Sequence, residues 1–561
     1  MSMNHTASYG KRENLPFRET LVEDAQLSEC DRINLEFLGS IQGDTANVAF
    51  ITYPDSKVFA MDAKFKNLPF VQAKDEMEII GKSLNDLLPE KITSKIEAAI
   101  QEMTKGNLLR EFVFALQNDT CYSFCVSTNT PGDYKKISIE IEAFDDVSIL
   151  DMVASQKELS KTLEKVGHAL DFCSSGQDAA KVACNSIFKM LGHFERGMVY
   201  IFHDDLSGEV IHEIKKDSVE SSYMGMHFPK ADIPQSARLL YVKNVVRYIK
   251  NIDGEDVDIV GSDRVDLTQT RSRCVHKCHL IYMRGMGVKS ALSLAVVCDG
   301  ELWGLLSFHG YGEPFQPSIH QLIACETIAS CVSARATAQA KAAQYSRTLQ
   351  MGQVFRKWDQ GASVTKNLET FGDEIVNVME ADVFAARYKV GDTVESVAKG
   401  DMALLPRGLF WTKLAKQVPE NEVCVRSSRK SIQELGLTEK NCPGSDFLFT
   451  RSKDAEIMLG RNYRVRDVVW GGNPDAPKLN IGGLLHPRAS FEAQIEKARK
   501  ATNPFNTVDQ KMAGFLGDQI FKKSSMSWAL ALVDEDITSE YVTLFNGLES
   551  PDDDQVLSTF S

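Results

Sequence analysis

Apolar and polar positions along the first 150 residues predict short strands mixed with helices. Strand-like apolar runs occupy residues 48–52, 111–114 and 136–139, and residues 91–103 form a helical stretch. The runs are rich in β-branched and aromatic residues, which are typical of strands. The predicted structure is a small α+β domain of the sensor type.

A second α+β unit is predicted after a helix over residues 157–173, where leucine and valine recur at helical spacing. Its strands include residues 197–202, 291–297 and 302–308. The turn Cys298-Asp299-Gly300 predicts a hairpin between the last two. Residues 321–358 are alanine-rich and contain neither glycine nor proline before Gly352, which predicts one continuous helix between two domains. Its small residues suit a homodimer, and a simple spacer helix is an equal alternative.

A third α+β unit is predicted between residues 367 and 538. Residues 461–470 alternate as a strand does, and Gly471-Gly472-Asn473-Pro474 ends that alternation. Ser490 is predicted to cap a helix that continues through Ala501 and stops at Pro504.

Composition narrows the class of protein. The 561 residues suffice for about three or four domains, and 43% apolar with 25% charged residues is ordinary for a globular protein. A net charge of −14 argues against nucleic-acid and anionic-membrane partners. No apolar run is long enough to span a membrane, and the polar N-terminus lacks a signal core. The twelve scattered cysteines predict reduced thiols in the cytoplasm, and without a CxxC pair no metal site is predicted.

The segment Asp232-Ile233-Pro234 carries the first candidate chemistry. Pro234 has a fixed φ and no N–H, and it moves Ile233 out of the helical region. The chain therefore turns sharply at Asp232 before a helix that begins near Gln235. Such a turn holds a backbone carbonyl in one orientation; taken alone, it is a turn before a helix.

Two cysteines are candidate reactive thiols. Cys278 precedes His279, and a thiol that adds to a vinyl or ethylidene group needs a neighbour that favours the thiolate. Cys30 lies in a polar stretch outside any predicted element, which suits reactivity better than burial. A lone Cys-His pair is more often core plus surface.

Further candidate site residues are arginines, a histidine and aromatic residues between positions 200 and 309. Arg238, Arg247 and Arg273 are able to clamp carboxylates in a bidentate way, although surface salt bridges are the plainer reading, above all for Arg238. His309 follows a predicted strand, where a structural histidine is commoner. Aromatic residues that would be core in most proteins are Tyr200, Phe228, Tyr241 and Tyr282. Together these residues are what a covalently held, charged, planar pigment would need.

With these motifs the chain resembles the phytochrome photosensory core, over roughly residues 25–545. The motifs that carry the resemblance, in chain order, are Glu29-Cys30-Asp31-Arg32, Gly39-Ser40-Ile41-Gln42, Asp232-Ile233-Pro234, residues 273–279, Tyr282-Met283-Arg284-Gly285-Met286-Gly287-Val288, Leu302-Trp303-Gly304-Leu305, Trp470-Gly471-Gly472-Asn473-Pro474 and Pro487-Arg488-Ala489-Ser490-Phe491. Each motif is moderately specific, and their common order is highly specific.

The resemblance implies a domain order and a topology. A mobile segment (1–24) would precede a PAS domain (25–150), a bilin-binding GAF domain (151–335) and a PHY domain (336–545) with a tongue at about 455–500. An acidic tail or linker to an output domain would follow (546–561). Ile41 would lie in a lasso through which the N-terminal segment threads, which forms a figure-of-eight knot.

The resemblance also implies a function and residue roles. The protein would be a red/far-red photoreceptor whose bilin isomerises at C15=C16. The Asp232 carbonyl, beside Ile233 and Pro234, would accept hydrogen bonds from the pyrrole N–H groups, and His279 would contact the pyrrole water. The propionate groups would contact Arg247, Arg273, Tyr241 and Ser293. His309 would bond the ring D carbonyl, and Tyr200, Phe228 and Tyr282 would surround that ring. In the tongue, Arg488 would pair with Asp232, and Ser490 or Trp470 would make the alternative contacts.

The resemblance leaves the attachment site open between the two thiols. The Glu-Cys-Asp-Arg context favours biliverdin on Cys30; the alternative is phycocyanobilin or phytochromobilin on Cys278. Gly43-Asp44-Thr45 replaces the usual Pro-His-Gly, so the start of the PAS domain is expected to differ locally. Having both cysteines would fit an algal, diatom-like origin.

No enzymatic motif is visible, neither a phosphoacceptor histidine box nor an ATP-lid pattern. Members of the family often continue into a histidine kinase that acts with a response regulator, so the chain is interpreted as a sensory module that forms a homodimer. Two other classes compete with this interpretation. One is a PAS/GAF module that binds haem, a cyclic nucleotide or another small ligand without photochemistry; the other is a dimeric scaffold with a degenerate pocket.

Overall fold

The computed structural model of the protein describes residues 33–517, apart from residues 74, 118–119, 145–148, 204, 262–263, 360, 391–392, 406–424, 429–442, 453–454, 477–478, 482–483, 487–493, 502–504, 506–508, 511 and 515. The described residues form two compact units. The first comprises those up to residue 339 together with 467–498, and the second comprises 340–466 together with those from 499 onward.

The elements up to residue 356 alternate between short strands and helices. The strands are β1 (Ser40–Gln42), β2 (Asn47–Thr52), β3 (Lys57–Asp62), β4 (Arg110–Gln117), β5 (Thr120–Ser127), β6 (Lys136–Phe144), β7 (Arg196–Phe202), β8 (Gly208–Lys215), β9 (His227–Phe228), β10 (Val246–Ile249), β11 (Asp256–Gly261), β12 (Ser290–Cys298) and β13 (Glu301–Gly310). The helices are α1 (Glu76–Ile79), α2 (Leu84–Leu87), α3 (Glu90–Gly106), α4 (Ile149–Asp171), α5 (Gly176–Leu191), α6 (Gln235–Lys243), α7 (Lys277–Gly285) and α8 (Ile319–Arg356).

The remaining elements are again mostly strands. They are α9 (Val364–Val378), β14 (Val383–Val390), β15 (Thr393–Gly400), β16 (Val425–Ser428), β17 (Asp446–Ser452), β18 (Ala455–Arg461), β19 (Arg464–Gly471), β20 (Leu479–Ile481), β21 (Leu484–His486) and β22 (Gln494–Ala501). Among the described residues, β14–β18 form an antiparallel sheet in the order β15-β14-β18-β17-β16. The predicted α+β class with antiparallel sheets is confirmed.

The first sheet has the order β1-β11-β3-β2-β6-β5-β4 and is antiparallel throughout its described pairs. Helix α3 packs against it because Ile92, Ile96, Ile100 and Met103 recur every three or four residues and are buried in the same core. Asn107 ends this helix in the left-handed conformation, which asparagine tolerates.

Strand β11 joins the first sheet although it lies far along the chain. Its residues pair with β1 on one side (Ile41↔Val257) and with β3 on the other (Ile259↔Asp62). The motif Gly39-Ser40-Ile41-Gln42, which locally is typical of a tight turn, is therefore a strand from Ser40 to Gln42 after Gly39, whose φ is +77°. The cause is a long-range pairing that no local pattern shows.

The second sheet forms the core of the middle segment, in the order β10-β12-β13-β7-β8-β9, and continues into β19 and β22. Helix α5 buries Ala179, Ala183 and Ile187 in the core of this sheet. The predicted hairpin between β12 and β13 is confirmed: Asp299 and Gly300 both have positive φ (53° and 81°), which two-residue hairpins of this type require. The predicted continuous helix over 321–358 is confirmed by α8.

The predicted helix from Ser490 through Ala501 is wrong for its described part. Residues 494–501 form β22, which lies beside β19 in the second sheet. Lys, Glu, Gln, Arg and Ala favour a helix locally, but pairing with a neighbouring strand overrides so weak a preference. Ser490 itself lies outside the described residues. So does the segment that would thread the knot, so the knot stays a prediction.

In the part of the chain that the structure describes, no helix combines the length and the apolar character needed to cross a lipid bilayer.

Gly304, in the Trp-Gly-Leu motif of β13, leaves no space for a larger residue. A Cβ at this position would lie 2.5 Å from the backbone oxygen of Tyr200, which the sheet holds in place. We expect Gly304→Ala to lower the free energy of unfolding by about 2 to 3 kcal/mol, measured by urea denaturation. The control Gly312→Ala, where the nearest atom would be 3.7 Å away, should change it by less than about 0.5 kcal/mol. Equal effects of the two would contradict this account of the packing.

Candidate functional site

A cavity of about 220 Å³ lies within the first unit and is lined by residues from β7, β9, α6, β10, α7, β12 and β13. Thirteen predicted site residues line it; they are Tyr200, Phe228, Asp232, Ile233, Pro234, Tyr241, Arg247, Arg273, Cys278, His279, Tyr282, Ser293 and His309. Cys30, Arg488 and Ser490 lie outside the described residues, so their roles stay predictions. Trp470 is described and is not among the lining residues.

The turn at Asp232 has the predicted structure. Arg238, which the sequence analysis assigned to a surface salt bridge, stabilises it. Asp232 donates its N–H to the Pro229 carbonyl at 3.0 Å, and α6 begins at Gln235. The Arg238 guanidinium is buried and donates to the carbonyl of Ile233, and to that of Lys230 at 3.3 Å. The expected surface salt bridge at Arg238 is therefore wrong. Its side chain folds back along the first turns of α6 and fixes the preceding loop.

Two arginines converge on one wall of the cavity. Arg247 on β10 pairs in register with Ser293 on β12. Its guanidinium donates to the carbonyls of Arg273 (2.7 Å) and Cys274 (2.9 Å). In the described part of the chain, the hydrogen bonds of the Arg273 guanidinium likewise go to backbone carbonyls, not to carboxylates.

The electrostatics of this wall favour an anionic ligand. Burial, and then the charge of Arg247, lower the pKa of Arg273; burial also lowers the pKa of Arg247. Burial raises the pKa of the neighbouring Tyr241 hydroxyl, which hydrogen-bonds Ser293. Two buried cations this close to each other gain stability from any carboxylate that enters between them.

His309 lies inside β13, one residue before that strand ends, rather than after the strand as predicted. Burial, and then the charges of Arg196 and His279, lower its pKa to about 3, so the ring is neutral at physiological pH. Its Nδ1 atom is buried without a hydrogen-bond partner among the described residues. A neutral, buried imidazole of this kind offers a hydrogen bond to a ligand.

Aromatic side chains form another part of the cavity lining. The ring centroids of Tyr200 and Phe228 lie 6.2 Å apart, and the Tyr282 hydroxyl lies 3.5 Å from Oδ2 of Asp232. The His279 ring stacks against Tyr282 at 6.1 Å. Cys278 lies in the first turn of α7, where the His276 ring accepts its backbone N–H, and its side chain lines the cavity.

Sequence reasoning missed several lining residues. Ile33, Leu35 and Leu38, which precede β1, cover part of the cavity; their apolar spacing in a polar stretch was the available signal. Tyr223 also lines it, and the buried Arg196 guanidinium stacks on the Tyr223 ring at 3.9 Å. Arg196 pairs with Glu213 at 3.2 Å, an interaction with no local signature in the sequence.

Two protein-family models match the chain after residue 174. A GAF domain matches residues 175–335 and a phytochrome region matches residues 347–525. The chain is 26% identical over 461 residues to cyanobacterial phytochrome A of Nostoc sp., covering 78% of this chain and 57% of that protein. It is 24% identical over 469 residues to a phytochrome of Mougeotia scalaris, covering 77% of this chain and 39% of that protein.

Solved structures show the same fold. The bacteriophytochrome RpBphP3 of R. palustris matches with a TM-score of 0.67 and 20% identity, over 88% of this chain and 98% of that one. The phytochrome photosensory core module of Stigmatella aurantiaca matches with a TM-score of 0.65 and 19% identity, over 89% and 99%. The chain spans about half the length of the first curated relatives, between 46% and 60%.

The fold, the cavity and the matches thus define a chain in which a GAF domain with a ligand-sized cavity precedes a phytochrome region. The two domain matches, the relatives and the solved structures together support a phytochrome photosensory core.

Proposed function

We propose that this chain is the photosensory module of a red/far-red photoreceptor and that its cavity holds a bilin. The observation that carries the proposal is the pair Arg247 and Arg273, half-buried and buried respectively, in a cavity lined otherwise mainly by aliphatic and aromatic side chains. A bilin presents two carboxylates on a flat, conjugated ring system. That combination matches the charges and the apolar surface of this cavity better than a neutral ligand would.

The two arginines would hold the propionate groups of the bilin. Their guanidinium groups have no carboxylate partner in the hydrogen bonds of the described chain, and Tyr241 and Ser293 supply hydroxyl groups beside them. A charge-assisted hydrogen bond contributes about 1.5 to 3 kcal/mol. These residues therefore supply much of the affinity and fix the orientation of the ligand.

His309 and the aromatic residues would surround the opposite end of the ligand. His309 offers a buried nitrogen that the described protein does not use. Tyr200, Phe228 and Tyr282 contribute aromatic ring surface to the cavity. The chemistry that the bilin supplies is isomerisation of its C15=C16 bond by light. The protein has only to favour one arrangement of these walls by a few kcal/mol for the population to change.

The cavity walls continue into the segment that the resemblance identifies as the tongue. Val469 of β19 packs on the apolar cluster that includes Phe228 and Met283, and β21 packs against α7, the helix that carries His279. Repacking of these walls would therefore disturb β19 and β21. Within this proposal, Arg488 would pair with Asp232 in one state, and Ser490 or Trp470 would make the contacts of the other.

Biliverdin on Cys30 is the proposed ligand and attachment. Ile33, three residues after Cys30, lines the cavity, and three residues of extended chain span at most about 11 Å. The knot, the homodimer, the cytoplasmic location and an output histidine kinase with its response regulator are parts of the same proposal for the whole protein.

Assembly of the purified chain with biliverdin tests the function. We expect a visible absorption band and a reversible red/far-red difference spectrum on illumination. Arg273→Gln should weaken binding about tenfold to a hundredfold, since one charge-assisted hydrogen bond is lost. Fluorescence titration with biliverdin measures the affinity, with Cys30→Ala present in every protein so that binding stays reversible.

The matched control is Arg264→Gln, because Arg264 lies at the surface over the Phe37 ring and away from the cavity lining. Its affinity should equal that of the wild type. If biliverdin gives no visible band, the module that binds another small ligand becomes the better interpretation. If a visible band forms but illumination does not change it, the proposed ligand is supported and the proposed photochemistry is wrong.

A further inference from the structure

Outside the cavity, His203, Glu209 and His227 form a cluster of metal-ligating side chains at the edge of the second sheet. His203 directly follows β7, Glu209 lies in β8, and His227 lies in β9. One ligand atom from each lies within 4.8 Å of the others. The ligand set, two imidazoles and a carboxylate, is one that zinc sites use.

Backbone pairing brings the three side chains together. The turn after β7 is closed by the His203 N–H, which donates to the Ser207 carbonyl at 2.8 Å, so β8 returns directly alongside β7. Glu209 and His227 then face each other as a register pair of β8 and β9. The site is thus built on paired strands, which hold ligand positions better than a mobile loop does.

The spacing of the ligand atoms suits a tetrahedral ion. Oε2 of Glu209 lies 2.8 Å from Nε2 of His203 and 3.5 Å from Nε2 of His227. Ligand atoms bound at 2.0 to 2.1 Å in a tetrahedron lie about 3.3 Å apart. The two distances from Glu209 therefore differ from this value by only about 0.5 and 0.2 Å, and all three ligand atoms lie within 4.8 Å of one another.

Burial leaves an entry path and one open position. The His227 side chain is 4% exposed, whereas His203 and Glu209 are 20% and 21% exposed. An ion can approach from the side of His203 and Glu209 and keep a water molecule there. The His203 and His227 rings stack at 5.4 Å, which restricts both imidazoles before any ion binds.

We propose that His203, Glu209 and His227 bind one divalent transition-metal ion, with Zn²⁺ as the best match to this ligand set. The site stands apart from the bilin cavity, because none of the three residues lines that cavity. It does border the tongue: Trp470 of β19 pairs in parallel with His227, and the two rings lie 5.8 Å apart. A bound ion fixes β9 and so stabilises the pairing of β9 with β19.

Metal titration of the full chain tests the site. The chain, without added bilin and stripped of metal with a chelator, is titrated with Co²⁺, whose visible bands report coordination. We expect one Co²⁺ to bind without a sulfur-to-cobalt band, and Zn²⁺ to displace it. The ion should also quench part of the tryptophan fluorescence, and Trp470→Phe should remove that part, since the Trp470 ring lies 5.8 Å from that of His227.

Three variants test the ligands against a matched control. His203→Gln, His227→Gln and Glu209→Gln should each lower the Zn²⁺ affinity at least about tenfold, as the loss of even a supporting residue does. His212→Gln, on the same strand as Glu209 and bonded instead to Asn185, should leave it unchanged. Circular dichroism without metal confirms that each variant is folded; Glu209→Gln keeps the size of the side chain and is the least disruptive.

A sulfur-to-cobalt band, or an affinity that none of the three variants changes, would assign the ion to the cysteines and overturn the proposal. Hydrogen exchange gives a separate readout. Zn²⁺ should slow exchange in peptides that cover residues 467–471 in the wild type and not in His203→Gln. Equal protection in both would reject the link between the ion and β19. All these measurements proceed without bilin, so they stand whether or not the photoreceptor proposal does.

Discussion

Cys30→Ala is expected to abolish the covalent bond to biliverdin, whereas Cys278→Ala is expected to leave that bond intact. The segment after Cys30 reaches the cavity at Ile33, Leu35 and Leu38, so a thiol shortly before it can approach the ligand from outside. Cys278 also lines the cavity, but it is 8% exposed and held in the first turn of α7. Zinc-induced fluorescence on a denaturing gel measures the bond as present or absent.

The same two variants, assembled with phycocyanobilin, show whether the two thiols attach different bilins. Cys278→Ala should then lose the bond, as expected if this bilin attaches from α7. Cys331→Ala, at an exposed cysteine on α8, is the matched control and should keep both bonds. Loss of the biliverdin bond in Cys278→Ala alone would move the attachment to α7. It would leave the assignment of the cavity itself unaffected.

Features that depend on local covalent geometry could be predicted from the sequence. Pro234 restricts its own φ and its predecessor, so the turn at Asp232 and the start of α6 follow from four residues. Asp299 and Gly300 tolerate positive φ, which specifies the hairpin between β12 and β13. The continuous helix α8 follows from the absence of helix breakers over a long stretch.

Features that depend on distant partners could not be predicted in the same way. No local pattern shows that β11 pairs with β1 and β3, because its partners lie about two hundred residues earlier in the chain. Strand β22 has helix-favouring residues and becomes a strand only through its neighbour β19. The sequence around Arg238 is typical of a surface arginine, and its burial depends on its hydrogen bonds to the preceding loop.

The site combines both kinds of information. The resemblance to the family predicts thirteen of the residues that line the cavity, and the fold places all thirteen around it. Their electrostatic partners were not visible in any motif. Arg196 illustrates this: it pairs with Glu213, stacks on Tyr223 and lowers the pKa of His309, although the three lie on different strands or loops. Charge placement of this kind depends on tertiary structure.

His309 links this arrangement to a measurable dependence of stability on pH. Its pKa is about 3 in the folded chain, mainly because of burial, against about 6.5 when unfolded. Between these values the unfolded chain binds a proton that the folded chain does not, so stability falls as pH decreases from about 6.5 towards 3. Between pH 7 and pH 5, His309 alone should lower the free energy of unfolding by about 2 kcal/mol.

His309→Gln should remove that part of the pH dependence in the bilin-free chain. Urea denaturation at pH 7, 6 and 5 gives the free energy of unfolding for each protein, and the difference in its slope between wild type and variant isolates His309 from the carboxylates. The size of the effect over this range is the same for any folded pKa below about 4. His168→Gln, at an exposed position on α4, controls for the loss of an imidazole. A wild-type slope in His309→Gln would mean that His309 takes up its proton over the same pH range in the folded as in the unfolded chain. The positive charge that His309 then acquires near Arg196 would have to be offset by an anion close to the ring, since both side chains are buried.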